Sequence, residues 1–203
     1  MKLYFATGTC ALSPHIALLE AGLQFEAERV DLRAKTTAGG GDYLAVNPKG
    51  YVPALQLDDG TVLTEGPAIV QYIADQVPAK NLMAPAGTME RYKQIEWLTF
   101  INSEIHKTFS TLFNPATPEA TRENQRQLLA RRFDFVEKTL ADRTFLTGST
   151  YTVADGYLFT VLNWAAPCKI DMTPWPNLLA FQSRVAARPC ARAAMIAEGL
   201  IKE

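Results

Sequence analysis

GYVPALQLDDGTVLTEGPAIVQYIAD, residues Gly50–Asp75, decides the fold. Two short β-type runs, Val52–Leu57 and Val62–Thr64, flank Asp58-Asp59-Gly60. Asp-Gly between such runs predicts a hairpin, because Gly accepts the positive φ of a tight reversal. Beyond Thr64-Glu65-Gly66, the apolar residues Ala68, Ile69, Tyr72 and Ile73 recur at helical spacing, and Pro67 suits a first helical turn. Glu65 and Gly66 then stand where unpaired helix N–H groups point outward, a setting that suits a carboxylate ligand. At the other end Val52 precedes Pro53, and a cis bond there would turn the Val52 N–H and C=O towards a ligand. Taken alone, the stretch is equally an ordinary hairpin followed by a helix.

Outward from it, Lys2–Phe5 reads as a strand, Ala6–Thr9 as a small-residue turn, and Ser13–Ala21 as a helix that Gly22 terminates. Phe25–Val30 reads as a second strand. Strand, helix, strand, then hairpin and helix give the βαβ-ββα order of a thioredoxin-like domain over residues 1–77. Lys35 and Gly39-Gly40-Gly41 lie in a flexible piece with weak helical character. PAKNLMAPAG, residues 78–87, has no periodicity and reads as a linker.

Residues 88–203 read as wholly helical, so the fold class is α/β plus all-α. Thr88 caps a long helix with Leu98, Ile101, Ile105, Phe109 and Leu112 on one face. Glu119–Leu140 forms another, with Leu128, Leu129, Phe133, Val136 and Leu140 on its apolar side. Thr152-Val153-Ala154-Asp155 is a capping-box pattern, with Asp in the Glu/Gln place, leading into the apolar run Tyr157–Trp164. Pro176–Ala187 and Pro189–Glu198 complete the set.

A chain of 203 residues with a net charge of −1 can bury a real core but offers no electrostatic case for nucleic acid or anionic membranes. Met1-Lys2-Leu3-Tyr4-Phe5 runs directly into a strand without a signal peptide's long apolar core, and no apolar run approaches a bilayer's thickness. Cys10, Cys168 and Cys190 are odd in number and widely spaced, which suggests reduced thiols in the cytoplasm and neither a disulfide framework nor a metal site.

Cys10 precedes the first helix, whose dipole favours a thiolate. Cys10-Ala11-Leu12-Ser13 has the spacing of a redox Cys-x-x-Cys with Ser as the second residue. Such a site forms a mixed disulfide but cannot resolve it internally. The alternative is a small buried Cys that packs inertly. On the long helix, Thr99, Ser103, His106 and Ser110 share a stripe at 100° per residue, readable as a cleft wall or as an exposed polar stripe. His15 has a structural default, and Lys35 is otherwise one more surface lysine.

These residues resemble the glutathione S-transferase family. In that family a Val before a cis-Pro pairs with the cysteinyl backbone of glutathione, and a Glu-Ser pair before the helix holds its γ-glutamyl end. Here Val52-Pro53 and Glu65 match, while Gly66 replaces the Ser, which implies weaker but not absent binding. TGTCALSPHIALLEAG looks like the beta, bacterial class, where Cys lies beside the glutathione sulfur without necessarily activating it. The SEIHK segment resembles the class's His and Lys near that sulfur, here His106 and Lys107.

The resemblance further implies Lys35 on the glycyl carboxylate, Thr99 where Asn is common, Ser103 in the same stripe, and Glu104 reaching a neighbouring subunit's glutathione. The implied protein is a cytoplasmic homodimer that conjugates glutathione to hydrophobic electrophiles, in detoxification or aromatic-compound catabolism, with no metal. Cys10 and His106 would be its catalytic residues. The helical domain would carry the second-substrate site, walled by Phe109, Leu112, Phe113 and Trp164. Gly156 departs from the family by lacking the apolar residue that would staple against Tyr151. Two alternatives stand beside this reading. One is glutathione-dependent thiol–disulfide exchange or reductive dehalogenation through Cys10, since TEGPAIVQY and NPKGYVPALQL resemble transferases found with aromatic-pollutant degradation. The other is a non-enzymatic ligand carrier or regulatory protein.

Overall fold

A computed structural model describes residues 1–202. The chain divides into two compact units. Met1–Met83 and the chain from Arg188 onward form the first, and Ala84–Ala187 forms the second.

The first unit is built on a five-stranded sheet. β1 (Lys2–Phe5) is central and pairs parallel with β2 (Glu26–Asp31) and antiparallel with β4 (Ala54–Gln56). β3 (Thr36–Thr37) extends the β2 edge and β5 (Val62–Thr64) the β4 edge, giving the order β3-β2-β1-β4-β5. Leu3 faces Ala27 on one side and Leu55 on the other, and both leucines are fully buried. The β4–β5 hairpin closes through Gly60, whose φ of 87° only glycine adopts without strain. Helix α1 (Leu12–Ala21) ends as the sequence predicts. Gly22 takes the left-handed conformation, and Leu23 N–H bonds Leu18 O.

The Lys35–Gly41 piece holds no helix; Thr36–Thr37 pairs with Val30 and Asp31, a strand too short to leave a sequence pattern. A four-residue helix, α2 (Tyr43–Val46), follows, with Asp42 Oδ1 capping Leu44 N–H. Helix α3 (Gly66–Gln76) starts one residue before Pro67.

The last helix, α9 (Pro189–Ala197), belongs with this sheet unit, although the sequence groups it with the helical residues 88–203. Its anchors are specific. Arg188 grips Glu20 through two bonds of 2.7 and 2.8 Å, and buried His15 Nδ1 lies 3.0 Å from Glu198 Oε1. Thr7 Oγ1 also donates to Glu198 O. A buried pair of this kind resists separation because either partner left alone would be an unpaired polar group in the core. His15 is thus structural, as expected.

In the second unit, α4 (Met89–Phe100) begins at Thr88, whose Oγ1 accepts from Arg91 N–H. The long helix predicted from Thr88 onward is not uniform. A π-turn, Ile101–His106, separates α4 from α5 (Lys107–Phe113), and Lys107 N–H bonds Asn102 O, five residues back. The apolar face survives the interruption, since Leu98, Ile101, Ile105 and Phe109 are all essentially unexposed. Helix α6 (Glu119–Leu140) packs its Leu129, Phe133, Val136 and Leu140 inward. Glu137 on α6 accepts from Asn177 N–H and Leu178 N–H, placing a carboxylate at the N-terminus of α8 (Pro176–Ala186).

Helix α7 (Val153–Leu162) is buried along its whole length, as a helix apolar on every side must be. Its capping Asp155 takes Leu146 N–H on one oxygen and Thr152 N–H and Oγ1 on the other, at 2.8–2.9 Å. Burial nevertheless pushes its carboxyl up to about 6, the hydrogen bonds opposing.

The expected gap at Gly156 is filled by the partner residue itself. Tyr151 is buried, edge-on to Phe145 at 5.8 Å, and a Cβ on Gly156 would lie 2.5 Å from its hydroxyl. Gly156→Ala should therefore cost about 1–2 kcal/mol, overpacking outweighing the helical gain of about 1 kcal/mol. In a Tyr151→Phe background, where the nearest atom is at 3.6 Å, the same change should be neutral or stabilising. Urea unfolding of the four proteins of this cycle measures the difference.

Candidate functional site

In the first unit, the loop from Asn47 to Pro53 gathers most of the expected residues. Asn47 Nδ2 and the buried Tyr43 hydroxyl both donate to Tyr51 O at 2.7 Å, fixing the chain just before Val52. Gly50, at φ 66°, has Lys35 Nζ and Leu44 packed so closely that a Cβ would meet them at 3.2 Å. Lys35 Nζ donates to Gly50 O at 2.8 Å and lies 6.0 Å above the exposed Tyr51 ring. The Val52–Pro53 bond is cis. Cys10 Sγ donates to Val52 O at 3.4 Å, so Cys10, Val52 and Lys35 do come together.

Glu65 and Gly66 occupy the start of α3. Glu65 is its N-cap at φ 69°, a conformation uncommon for a residue with a side chain, and such outliers concentrate where a ligand is held. Its carboxylate is exposed and pairs with Lys49 Nζ at 2.7 Å, and the same ammonium reaches Thr64 Oγ1. Nothing lies within 4 Å of where a Cβ on Gly66 would point, and its φ is ordinary, so the position has room for a side chain. Tyr43, Asn47 and Lys49 were not singled out from sequence. Asn47-Pro48-Lys49-Gly50 is a turn signal that could have flagged the loop, but nothing local shows that Lys49 meets Glu65 sixteen residues on.

The surroundings of Cys10 oppose the thiolate that its place before α1 favours. Burial raises its thiol to about 12, with Glu65 and Glu198 adding to the rise and a backbone hydrogen bond opposing it. A helix end contributes on the order of 1 kcal/mol, less than the cost of burying an unpaired anion. The bond to Val52 O further favours the protonated form, which alone can donate. Cys168 and Cys190 are raised by burial as well.

In the second unit the π-turn Ile101–His106 interrupts the helix that carries the predicted stripe. Thr99 Oγ1 and Ser103 Oγ are exposed and turn back on their own helix, to Ile95 O and Thr99 O. Glu104 forms a 2.6 Å ion pair with Arg132 rather than standing unpaired. Lys107 is exposed and lines a cavity of about 410 Å³ with Ser110, Thr111 and Asn114. His106 is half-buried, its Nδ1 2.6 Å from the Tyr157 hydroxyl and its ring edge-on to Trp164 at 4.8 Å.

Of the expected apolar wall, Phe109 is wholly buried and serves as core, packed on Phe133 and Trp164. Leu112 is also buried, whereas Phe113 is half-exposed against Trp164. No helix among the described residues is long and apolar enough to cross a membrane. No cluster of three or more His, Cys, Asp or Glu that could hold a metal is found there.

Residues 7–76 match the glutathione S-transferase N-terminal domain, and residues 100–189 match the glutathione S-transferase C-terminal domain. The chain is 48% identical to glutathione S-transferase GstA of Escherichia coli O157:H7 over 98% of its own length and all of that protein. A sphingomonad glutathione S-transferase complexed with glutathione superposes at a TM-score of 0.96, with 45% identity over 99% of this chain and all of the other. A bacterial beta-class glutathione S-transferase from Sphingomonas chungbukensis gives 0.96 and 46% over the same shares.

The thiol's state is directly measurable. Site-resolved mass spectrometry of iodoacetamide labelling should find Cys10 nearly inert at neutral pH, with a rate still rising beyond pH 10. A rate that levels off below the ordinary thiol pKa of about 8.5 would contradict the raised thiol.

Proposed function

The chain belongs to the glutathione S-transferase family, and from that premise we propose how its residues conjugate glutathione. The glutathione sulfur attacks an electrophilic carbon of a hydrophobic second substrate. The C–S bond forms, the carbon–leaving-group bond breaks, and the leaving group departs with its electron pair. The thiol proton passes to a base, His106, and from there to solvent. Glutathione is held by Val52 through its backbone, by Glu65 and Gly66 at the start of α3, and by Lys35. Cys10 packs beside the sulfur, Lys107 acts with His106, and Thr99 and Ser103 make weaker contacts. Phe113 and Trp164 supply apolar surface for the electrophile.

The protein works in the cytoplasm as a homodimer with α3 and α4 at the interface. A dimer interface fits the aromatic cluster on α4 and α6 where Phe135, half-exposed, stacks on Trp97 at 5.6 Å with Phe100 edge-on. Glu104, already paired with Arg132, is held in one orientation for a role towards the neighbouring subunit's glutathione.

One observation favours conjugation over thiol–disulfide exchange or reductive dehalogenation through Cys10: its half-buried thiol donates to Val52 O at 3.4 Å, and its surroundings push it well above the ordinary thiol range. A thiol so rarely ionised at neutral pH is a poor covalent nucleophile, which leaves the sulfur of glutathione to do the chemistry.

Calorimetric titration of glutathione and turnover of a chloronitroaromatic substrate test this reading together. Cys10→Ala should retain glutathione binding and conjugation within several-fold of the parent. Turnover abolished in Cys10→Ala alone would favour the covalent mechanism, and no glutathione binding by either protein would end the glutathione reading.

Because the space over Gly66 is open, Gly66→Ser should add the hydroxyl its relatives use and tighten glutathione about 3–10-fold, the worth of one hydrogen bond. An unchanged dissociation constant would mean that the serine hydroxyl has no partner at this position.

A further inference from the structure

His106 does not stand alone on the π-turn. The Tyr157 hydroxyl, carried by α7, donates to Asn102 Oδ1 at 2.9 Å and meets His106 Nδ1 at 2.6 Å. A tyrosine hydroxyl has one proton to give. An amide oxygen only accepts, so that proton goes to Asn102. His106 Nδ1 faces the same phenolic oxygen, and two acceptors cannot share a contact of that length, so Nδ1 carries a hydrogen and donates it. In a neutral imidazole the lone pair then resides on Nε2. The ring is also fixed in orientation, edge-on to Trp164 at 4.8 Å and to Tyr157 at 5.9 Å. The local backbone places both partners of the hydroxyl four residues apart within Ile101–His106, the segment whose carbonyl at Asn102 accepts from Lys107 N–H.

We infer that Tyr157 and Asn102 are positioning residues for conjugation, locking His106 in the Nδ1–H tautomer so that Nε2 is the atom that takes the thiol proton of glutathione. The inference rests on the proposed role of His106 as base. Tyr157 and Asn102 act through His106 and need not touch either substrate. Removing the phenolic hydroxyl leaves the tautomer to the ring's own preference, and only the fraction with a bare Nε2 remains competent. The effect falls on the rate of the proton-dependent step, with glutathione affinity nearly intact.

The decisive measurement is ¹⁵N NMR of the full-length protein with labelled imidazoles, at mildly alkaline pH where the rings are neutral. The chain has two histidines, so a His15→Gln protein identifies the His106 signals. In the parent, His106 should show a protonated Nδ1 and a bare Nε2. Tyr157→Phe should shift the ring towards Nε2–H and lower kcat with the chloronitroaromatic substrate by ~10-fold, a modest part of what general base catalysis supplies. Its KM for glutathione should stay within about twofold, as for an interaction made only in the transition state.

Asn102→Asp, which keeps an acceptor-only oxygen, should preserve the tautomer and most of kcat, whereas Asn102→Leu should lose both. Thermal melts of each variant exclude misfolding as the cause, and Asn102→Leu tests the idea without altering α7. A proton on Nε2 in the parent overturns the inference whatever the activities are. So does a kcat unmoved in Tyr157→Phe when its tautomer has changed. Failure of the parent to bind glutathione at all would strike the proposed function instead and leave the tautomer assignment standing.

Discussion

The carbonyl oxygen of Tyr51 organises the Asn47–Pro53 loop of the sheet unit. It accepts from Tyr43 and from Asn47, so the end of α2 and the entry to β4 are tied to one atom. Both donors would be left unsatisfied in the interior if the loop moved, and an unpaired buried donor costs about 1–3 kcal/mol. With Tyr51 fixed, the neighbouring positions have little freedom. Gly50 takes its positive φ beneath Lys35, and Val52 O receives the Cys10 thiol. Backbone atoms thus hold this loop in place, and in the proposed site backbone hydrogen-bonding groups suit the peptide-like glutathione.

Cys10 shows how two real effects of opposite sign are settled by size. The helix end that follows it does favour an anion. The surroundings that the fold builds around it, with Val52 and the carboxylates Glu65 and Glu198 near enough to act, oppose charge more strongly. The first effect is local and can be read from the chain, because it depends on where a helix starts. The second depends on residues up to 188 positions away and cannot. The same asymmetry explains α9, whose attachment through Arg188–Glu20 and His15–Glu198 has no sequence signature even though its helical pattern is plain.

Much else was legible because it rests on short-range chemistry. The hairpin at Asp58-Asp59-Gly60, the Gly22 stop, the Thr88 cap and the 119–140 helix are each decided by residues within a turn or two of one another. β3 was missed because two threonines carry no periodicity. The π-turn was missed because an apolar face at Leu98, Ile101, Ile105 and Phe109 fits an unbroken α-helix equally well, yet a widened turn changes which polar side chains share a side. Thr99 and Ser103 were accordingly grouped with His106 when their hydroxyls turn back on the helix. His106 itself was legible from the polar stripe and from the resemblance, but its partner Tyr157 was not, since a tyrosine inside an apolar run reads as core.

Tyr157 also answers why a wholly buried helix should carry a phenol. Replacing it by an apolar ring would leave the half-buried imidazole of His106 and the exposed amide of Asn102 without a common partner. Supplying one oxygen to both satisfies them and removes rotational and tautomeric freedom from the histidine at once. A histidine whose tautomer and ring plane are set in the resting protein has little reorganisation left to perform when a proton moves, which is the advantage of preorganised polar groups. On the proposed role of His106, one hydroxyl both pairs the polar groups beside α7 and leaves Nε2 to take the proton.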